Sequence, residues 1–272
     1  MTRLLPLFAF VLASCGSPLL SPFADTEVGT FRNGSIEFSY AFDLPRGVAQ
    51  PPVVVLGHGS GRVTADVLAE PARILVQQGF AVFRYDKRGT GDSGGTYSKA
   101  FADITLLAGD MVAAVEFVRS DPRVDTDRIG LLGSSQAGWV IPETAVRSPH
   151  VAFAVIRVGP AVTGQQANYW ADIASQKSRS IADLEAEFEL FKPSGTDLDV
   201  LPFLRQLGVP TLWLLGAEDR VIPSGPTREI VESLAREEGR PFEVVTYPGK
   251  GHSLDVNYWY DFMIWFDREV GD

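Results

Sequence analysis

The chain has few of the residues that form disulfides or bind metals. Its 272 residues include one cysteine and three histidines. A single cysteine cannot form an internal disulfide, and the histidines, at positions 58, 150 and 252, are too dispersed for the spacing of a metal site. We therefore expect a protein that is stabilised by its hydrophobic core and binds no metal.

Positive charge is also scarce. The sequence has 24 basic and 34 acidic residues, a formal net charge of −10, and no basic cluster longer than the Lys-Arg pair that follows Asp86. Nucleic-acid binding requires a basic patch that neutralises phosphates. We therefore expect no nucleic-acid partner.

Long apolar runs are missing, but a short one lies near the N-terminus, where Arg3 precedes Leu4–Leu12. About nine apolar residues are too few to span a bilayer and are typical of a signal peptide. The sequence Leu-Ala-Ser-Cys that ends at Cys15 resembles the bacterial lipoprotein signal, in which the cysteine becomes the lipidated first residue. We expect a signal peptide over residues 1–14, a lipidated tether over 15–25, and a membrane anchor through Cys15 in the cell envelope, on the periplasmic side or outside the cell.

The remaining residues, 26–272, alternate between strand-like and helix-like segments. Residues 27–44 predict an antiparallel hairpin that turns near Asn33 and Gly34. The alternation that follows predicts one α/β domain, with a mostly parallel sheet covered by helices on both faces. The expected later strands are 53–56, 81–85, 129–132, 151–158, 211–215 and 242–247; the expected helices are 65–78, 101–119, 139–147, 226–238 and 256–269.

An insertion of about 163–205 separates two of the expected strands and is longer than a simple crossover needs. Within it, Ile181, Leu184, Phe188 and Phe191 form an apolar stripe at helical spacing. Such a stripe packs on the core or lines an acyl pocket as part of a small cap. We expect the cap.

The segment Gly-Ser-Ser-Gln-Ala-Gly at 133–138 lies between a predicted strand and a predicted helix. A turn this sharp strains the residue at its apex and requires small residues on either side, and Gly133 and Ala137 meet this requirement around Ser135. The turn would aim the Ser135 hydroxyl out of the sheet edge and present the backbone N–H of Gln136 to a developing oxyanion. A turn without catalytic function would have a similar sequence.

A nucleophilic serine needs a general base, and His252 is the best candidate. It follows the expected strand 242–247, and Gly249 and Gly251 allow its loop to fold back over the sheet edge. The alternative is an ordinary surface histidine. His150 lies between a helix and a strand and is expected to be a turn residue, whereas His58 is expected to brace a loop.

The base needs an acid that orients it, and the predicted buried strand 210–216 is followed by Glu218 and Asp219. Asp219 is the preferred acid and Glu218 the alternative. A carboxylate there would hydrogen-bond Nδ1 of the imidazole and stabilise the imidazolium. Without a working base, it would be a helix-capping or turn carboxylate.

The oxyanion needs a second amide donor. The segment His-Gly-Ser-Gly at 58–61 ends another predicted strand, and the N–H of Ser60 is the expected donor. A phosphate-binding loop is disfavoured, because no lysine follows the glycines and the GxGxxG spacing is absent.

Five motifs occur in order: VVVLGHGSG, FRYDKRGTGDSGG, GLLGSSQAGW, LLGAEDRVIP and YPGKGHSL. Together they resemble the α/β-hydrolase superfamily, in the branch of bacterial carboxylesterases and serine aminopeptidase-like hydrolases. The resemblance implies the α/β-hydrolase fold, a Ser135–His252–Asp219 triad, and an oxyanion hole made by the amides of Ser60 and Gln136. It also implies that Asp86, Arg88 and Ser93 form a hydrogen-bonded scaffold beside the site.

These observations predict a serine hydrolase of carboxylic esters that forms an acyl-enzyme, acts on a small ester or acyl substrate and needs no cofactor. A serine aminopeptidase, amidase or thioesterase with the same triad is the alternative. The carboxylates available to grip a free amine would be Glu143, Asp172 and Glu185. A third reading is a non-catalytic binding protein of the same fold.

Overall fold

The computed structural model describes residues 22–97, 103–195, 197–254 and 257–271. Among its described helices, none is both long and apolar enough to cross a membrane. The predicted signal peptide at 1–14 and lipidated Cys15 lie outside these ranges and stay predictions. The strands are β1 (Ala24–Asn33), β2 (Ile36–Pro45), β3 (Val53–Leu56), β4 (Ala81–Tyr85), β5 (Ile129–Ser134), β6 (Val151–Arg157), β7 (Thr211–Gly216) and β8 (Phe242–Tyr247). The helices are α1 (Ala69–Gln77), α2 (Ile104–Arg119), α3 (Ala137–Arg147), α4 (Gly164–Ala174), α5 (Ile181–Phe188), α6 (Leu201–Gln206), α7 (Ser224–Glu238) and α8 (Trp259–Glu269).

The strands form one eight-stranded sheet in the order β1-β2-β4-β3-β5-β6-β7-β8. β1 and β2 form the predicted hairpin, which turns between Asn33 and Ile36, and β2 pairs antiparallel with β4. Every later pairing is parallel. The carboxyl ends of β3, β5, β6 and β7 therefore meet at one edge of the sheet.

Both faces of the sheet are covered, as the alternation of residues in β3 illustrates. Val53 and Val55 belong to the hydrophobic cluster that contains α2 to α7, whereas Val54 and Leu56 belong to the cluster that contains α1 and α8. Successive side chains of a strand point to opposite faces, so a continuous apolar strand feeds two cores. The predicted mostly parallel sheet with helices on both faces is confirmed.

The predicted elements differ from the observed ones mainly at their ends. The segment predicted as one helix from Ala65 begins with a 3-10 turn, Ala65–Leu68, before α1. The starts predicted at 101 and 256 lie outside the described residues. α3 begins directly after Gln136 and continues through Pro142, which lacks the N–H of an interior helix residue.

Three helices, α4 to α6, occupy the predicted insertion. Leu184 and Phe188 of the apolar stripe are buried in the larger core cluster, and Phe188 meets Trp170 edge to face at 5.9 Å. Phe191 stacks on Tyr169 at 4.3 Å. Leu184 and Phe188 thus pack on the core. This is the alternative to the predicted role of the stripe as a wall of an acyl pocket. That the insertion acts as a cap stays a prediction.

A buried ion pair joins the antiparallel hairpin to the parallel part of the sheet. Arg84 Nε donates to Asp43 Oδ2 at 2.7 Å, and both side chains are at most 1% exposed. Thr26 donates to the other carboxylate oxygen at 2.7 Å, and Arg84 Nη1 donates to the Ala65 carbonyl at 2.6 Å. Asp66 lies 3.6 Å from Nη1 but is 87% exposed. Each charge is therefore satisfied by several partners.

We expect Asp43→Ala to lower the free energy of unfolding by about 3–5 kcal/mol, because it leaves the Arg84 guanidinium buried without its main partner. The matched control is Asp25→Ala in the same hairpin, whose exposed pair with Arg46 should contribute less than about 1 kcal/mol. Urea unfolding of both variants measures the difference. Equal losses would contradict the prediction.

Candidate active site

Ser135 lies at the sharp turn between β5 and α3. Its φ of 58° is left-handed, a conformation that costs a non-glycine residue roughly 1–2 kcal/mol. Its N–H donates to the Arg157 carbonyl at the end of β6 at 3.0 Å, and its own carbonyl accepts from Gly138 at 2.8 Å. Hydrogen bonds on both sides thus hold the strained residue at the carboxyl edge of the sheet.

The turn is possible because its neighbours have little or no side chain. A Cβ added to Gly133 would lie 2.5 Å from the Ala137 Cβ and 3.2 Å from the Gly57 Cα. The structure therefore explains why positions 133 and 137 are small. Gly138, which the sequence did not single out, is equally constrained, since its Cβ would lie 2.6 Å from the nitrogen of Pro160.

Asp219 and His252 are in direct contact. His252 Nδ1 and Asp219 Oδ2 are 2.8 Å apart, and the other carboxylate oxygen accepts from the amides of Val221 at 2.7 Å and Ile222 at 2.9 Å. Asp219 is 1% exposed. Glu218, the alternative acid, has an exposed side chain, and its amide donates to the Lys250 carbonyl at 2.7 Å. Of the two carboxylates, the structure brings Asp219 to the imidazole.

Ser135 shares the sheet edge with this pair. The residues next to Ser60, Ser135 and His252, namely Gly59, Ser134 and Ser253, border a single cavity of about 560 Å³. Within the described part of the chain, the Ser135 hydroxyl makes no hydrogen bond, so a Ser135–His252 bond is not formed in this structure. Catalytic hydrogen bonds are often long without substrate and tighten in the complex.

The two expected oxyanion donors are on adjacent segments. A Cβ added to Gly59 would lie 3.9 Å from the Ser135 Cβ, which places the 58–61 loop beside the serine. Among the described residues, none accepts a hydrogen bond from the amide of Ser60 or of Gln136. Neither amide is thus engaged by another part of the described chain.

Lys87 ties these two segments together, and sequence reasoning missed it. Its ammonium donates to the Gly59 carbonyl and to Oε1 of Gln136, each at 2.7 Å, and the side chain is buried. Burial lowers the pKa of Lys87 to about 8. Its one signal in the sequence is its place two residues after β4, at the carboxyl edge of the sheet.

His58 also holds the 58–61 loop in place. It is buried, its Nε2 donates to the Tyr85 carbonyl at 2.7 Å, and its ring meets the Tyr85 ring edge to face at 4.4 Å. Burial is the main cause that lowers the pKa of His58 to about 4. His58 is thus neutral near pH 7 and holds a loop, as expected from the sequence.

Asp86, Arg88 and Ser93 are engaged in structural contacts. Asp86 accepts from the amides of Ala65 at 2.7 Å and Asp92 at 2.9 Å. Ser93 donates to the Asp86 carbonyl at 2.8 Å, and Arg88 Nε donates to Asp110 at 2.8 Å. They form a scaffold beside the site.

No site for a metal is evident in the part of the chain that the structure describes: it contains no group of three or more His, Cys, Asp or Glu that could hold one. His150 lies on the turn between α3 and β6, with its Nε2 3.8 Å from Glu116. This is the opposite end of β6 from Ser135.

Comparison with known proteins gives a family and a fold. A family model described as "Serine aminopeptidase, S33" matches residues 50–189. The acylamino-acid-releasing enzyme of Rattus norvegicus is 27% identical over 258 residues, which cover 84% of this chain and 32% of that enzyme. The chain thus spans about a third of the length of this curated relative.

Two solved structures share the fold. An esterase from Pyrococcus furiosus has a TM-score of 0.73 at 18% identity, covering 96% of this chain and 97% of its own. The acylaminoacyl peptidase of Pyrococcus horikoshii has a TM-score of 0.65 at 17% identity, covering 91% of this chain and 42% of its own. The predicted α/β-hydrolase fold is confirmed.

The buried His58 makes the free energy of unfolding depend on pH. Because its folded pKa lies below the ordinary value of 6.5, the unfolded chain binds more protons between about pH 4 and 6.5, and stability falls as pH falls through this window. The contribution is up to about 3 kcal/mol, at about 1.4 kcal/mol per pKa unit.

In His58→Gln, the free energy of unfolding should fall less steeply over this range in urea titrations. His150→Gln, outside the loop, is the control, and a His58→Gln slope equal to that of the wild type would refute the assignment.

Proposed function

Because the chain belongs to the serine aminopeptidase S33 family, a family of serine hydrolases, we propose that it hydrolyses carboxylic esters through an acyl-enzyme on Ser135. One observation carries the proposal. A buried carboxylate, held by two amides, orients a histidine at the sheet edge where a strained serine occupies a strand-to-helix turn. This is the arrangement that an acyl-transfer triad requires.

In the proposed reaction, Nε2 of His252 removes the proton of the Ser135 hydroxyl as its oxygen attacks the ester carbonyl. Asp219 on Nδ1 fixes the tautomer that leaves Nε2 unprotonated and stabilises the imidazolium that forms. The imidazolium then protonates the departing alkoxide. Water, activated by the same imidazole, attacks the acyl-enzyme, releases the carboxylic acid and restores the serine.

The negative charge of the tetrahedral intermediate would be held by the amides of Ser60 and Gln136. Lys87 supports both amides. Its ammonium binds the Gln136 side chain and the Gly59 carbonyl, and that carbonyl belongs to the same peptide group as the Ser60 N–H. We assign Lys87 as a positioning residue: it fixes the distance between the two donors. Preorganised donors of this kind supply much of the rate enhancement in acyl transfer.

A peptidase that releases N-acylated amino acids is the second candidate, favoured by the likeness to the rat acylamino-acid-releasing enzyme. The sequence offered Glu143 as a ligand for a free substrate amine. Glu143 is instead buried, accepting from Arg147 at 3.1 Å and from Thr105 at 3.1 Å. This removes one of the three carboxylates considered for a free amine; Asp172 is exposed on α4 and Glu185 is partly buried on α5.

We expect the purified full-length chain to hydrolyse p-nitrophenyl acetate and butyrate, and Ser135→Ala to lower kcat by about 10⁴-fold or more. A fluorophosphonate probe should label the wild type and the adjacent control Ser134→Ala, but not Ser135→Ala. Faster turnover of N-acetylalanine p-nitroanilide than of the esters would favour the peptidase. Faster turnover of an acyl thioester than of the esters would favour the thioesterase. Failure of a folded wild type to react with any of these substrates or with the probe would favour a non-catalytic protein.

We expect Lys87→Met to lower kcat for the same esters by about 10²-fold with little change in KM, because the intermediate loses preorganised donors while ground-state binding is kept. Lys192→Met is the control, since Lys192 is exposed on the insertion. Circular dichroism checks that both variants are folded. An unchanged kcat, or a fall that only tracks the loss of folded protein, would remove Lys87 from the site.

A further inference from the structure

The cavity that borders Gly59, Ser134 and Ser253 lies between α1 and α8. Its lining combines polar surface with apolar side chains that include Val63, Leu68, Ile74 and Trp259. Its volume of about 560 Å³ lies within the usual range of small-molecule sites. It is therefore large enough for a ligand of its own.

Among the described residues that line this cavity, Arg157 is the cation. It is the last residue of β6 and half-buried; its Nε donates to the Ser134 hydroxyl at 2.9 Å and its Nη1 to the Tyr258 hydroxyl at 2.9 Å. Its guanidinium carbon also lies 5.1 Å from the centre of the Tyr258 ring. These neutral contacts fix the direction of the guanidinium and leave Nη2 without a hydrogen-bond partner among the described residues.

Arg157 forms no ion pair with a carboxylate in the described ranges. Glu70 lines the same cavity and its charge acts on the Tyr258 hydroxyl, but its side chain is exposed and water screens it. In a chain with a net charge of −10, a half-buried guanidinium whose direction is fixed, and to which no described carboxylate is bonded, attracts an anion.

We propose that this cavity binds an apolar monocarboxylate, with its alkyl chain between α1 and α8 and its carboxylate on Arg157. The carboxylate accepts a charge-assisted hydrogen bond from Nη2, and the apolar part of the lining buries the alkyl chain. The inference does not rest on the proposed function, because it concerns reversible binding and involves no bond to Ser135.

Octanoate binding to the full-length Ser135→Ala variant, measured by isothermal titration calorimetry, tests the proposal. Octanoate should bind saturably and more tightly than octan-1-ol, its neutral counterpart. Adding Arg157→Gln should weaken octanoate binding by about tenfold or more and leave octanol binding unchanged, since only the charged hydrogen bond is lost. Arg157→Lys, which keeps the charge, should recover part of the affinity.

Two further variants complete the test. Arg73→Gln removes a charge from α1 outside the cavity lining and should bind octanoate like its parent. Ile74→Trp keeps Arg157 but fills the cavity, and should abolish binding of both octanoate and octanol, which covers the case in which Arg157→Gln does not fold. No saturable octanoate binding, equal binding of octanoate and octanol, or full octanoate affinity in folded Arg157→Gln would overturn the proposal. If the folded wild type binds octanoate but the fluorophosphonate probe does not label Ser135, the hydrolase assignment is overturned and the binding proposal stands.

Discussion

The site depends on the close approach of three backbone segments beneath Ser135. Gly57 after β3, Gly133 in β5 and Ala137 in α3 meet so closely that a Cβ on either glycine would contact Ala137, at 3.5 Å from position 57 and 2.5 Å from position 133. This contact lets the chain turn from strand to helix in so few residues, and it forces Ser135 into a left-handed conformation. The cost of that strain is offset by the packing of β5 and α3, both buried in the core.

Around this turn, polar side chains fix separate loops relative to one another. Lys87 joins the loop after β3 to the residue that follows Ser135, and Arg157 joins the end of β6 to Ser134 and to Tyr258. Each is a long cationic side chain that binds neutral groups rather than a carboxylate. Such contacts fix the loops relative to one another. They also leave positive charge close to the place where we propose that negative charge develops or binds.

Much of the architecture was predictable from the sequence. The apolar strands, the Asn33–Gly34 turn and the small residues around Ser135 are local signals, and the structure follows them. What the sequence could not settle depends on three-dimensional pairing. Glu218 and Asp219 are adjacent and similar, and only the loop conformation decides that Asp219 meets the imidazole.

Lys87 and Arg157 were not predicted as site residues because their partners are 23 to 101 positions away along the chain. The apolar stripe of α5 fitted two structures equally well from its periodicity, and only tertiary packing placed Leu184 and Phe188 in the core. Periodicity reports that a face is apolar; it does not report which neighbour covers it.

The way Asp219 is held determines which part of the site can adjust. Two amides of its own loop clamp one carboxylate oxygen, and the side chain is almost fully buried, so the acid is a stationary pivot. The imidazole, 29% exposed, lies on a glycine-flanked loop outside the core. Any motion of the imidazole toward Ser135 therefore takes place about a fixed carboxylate.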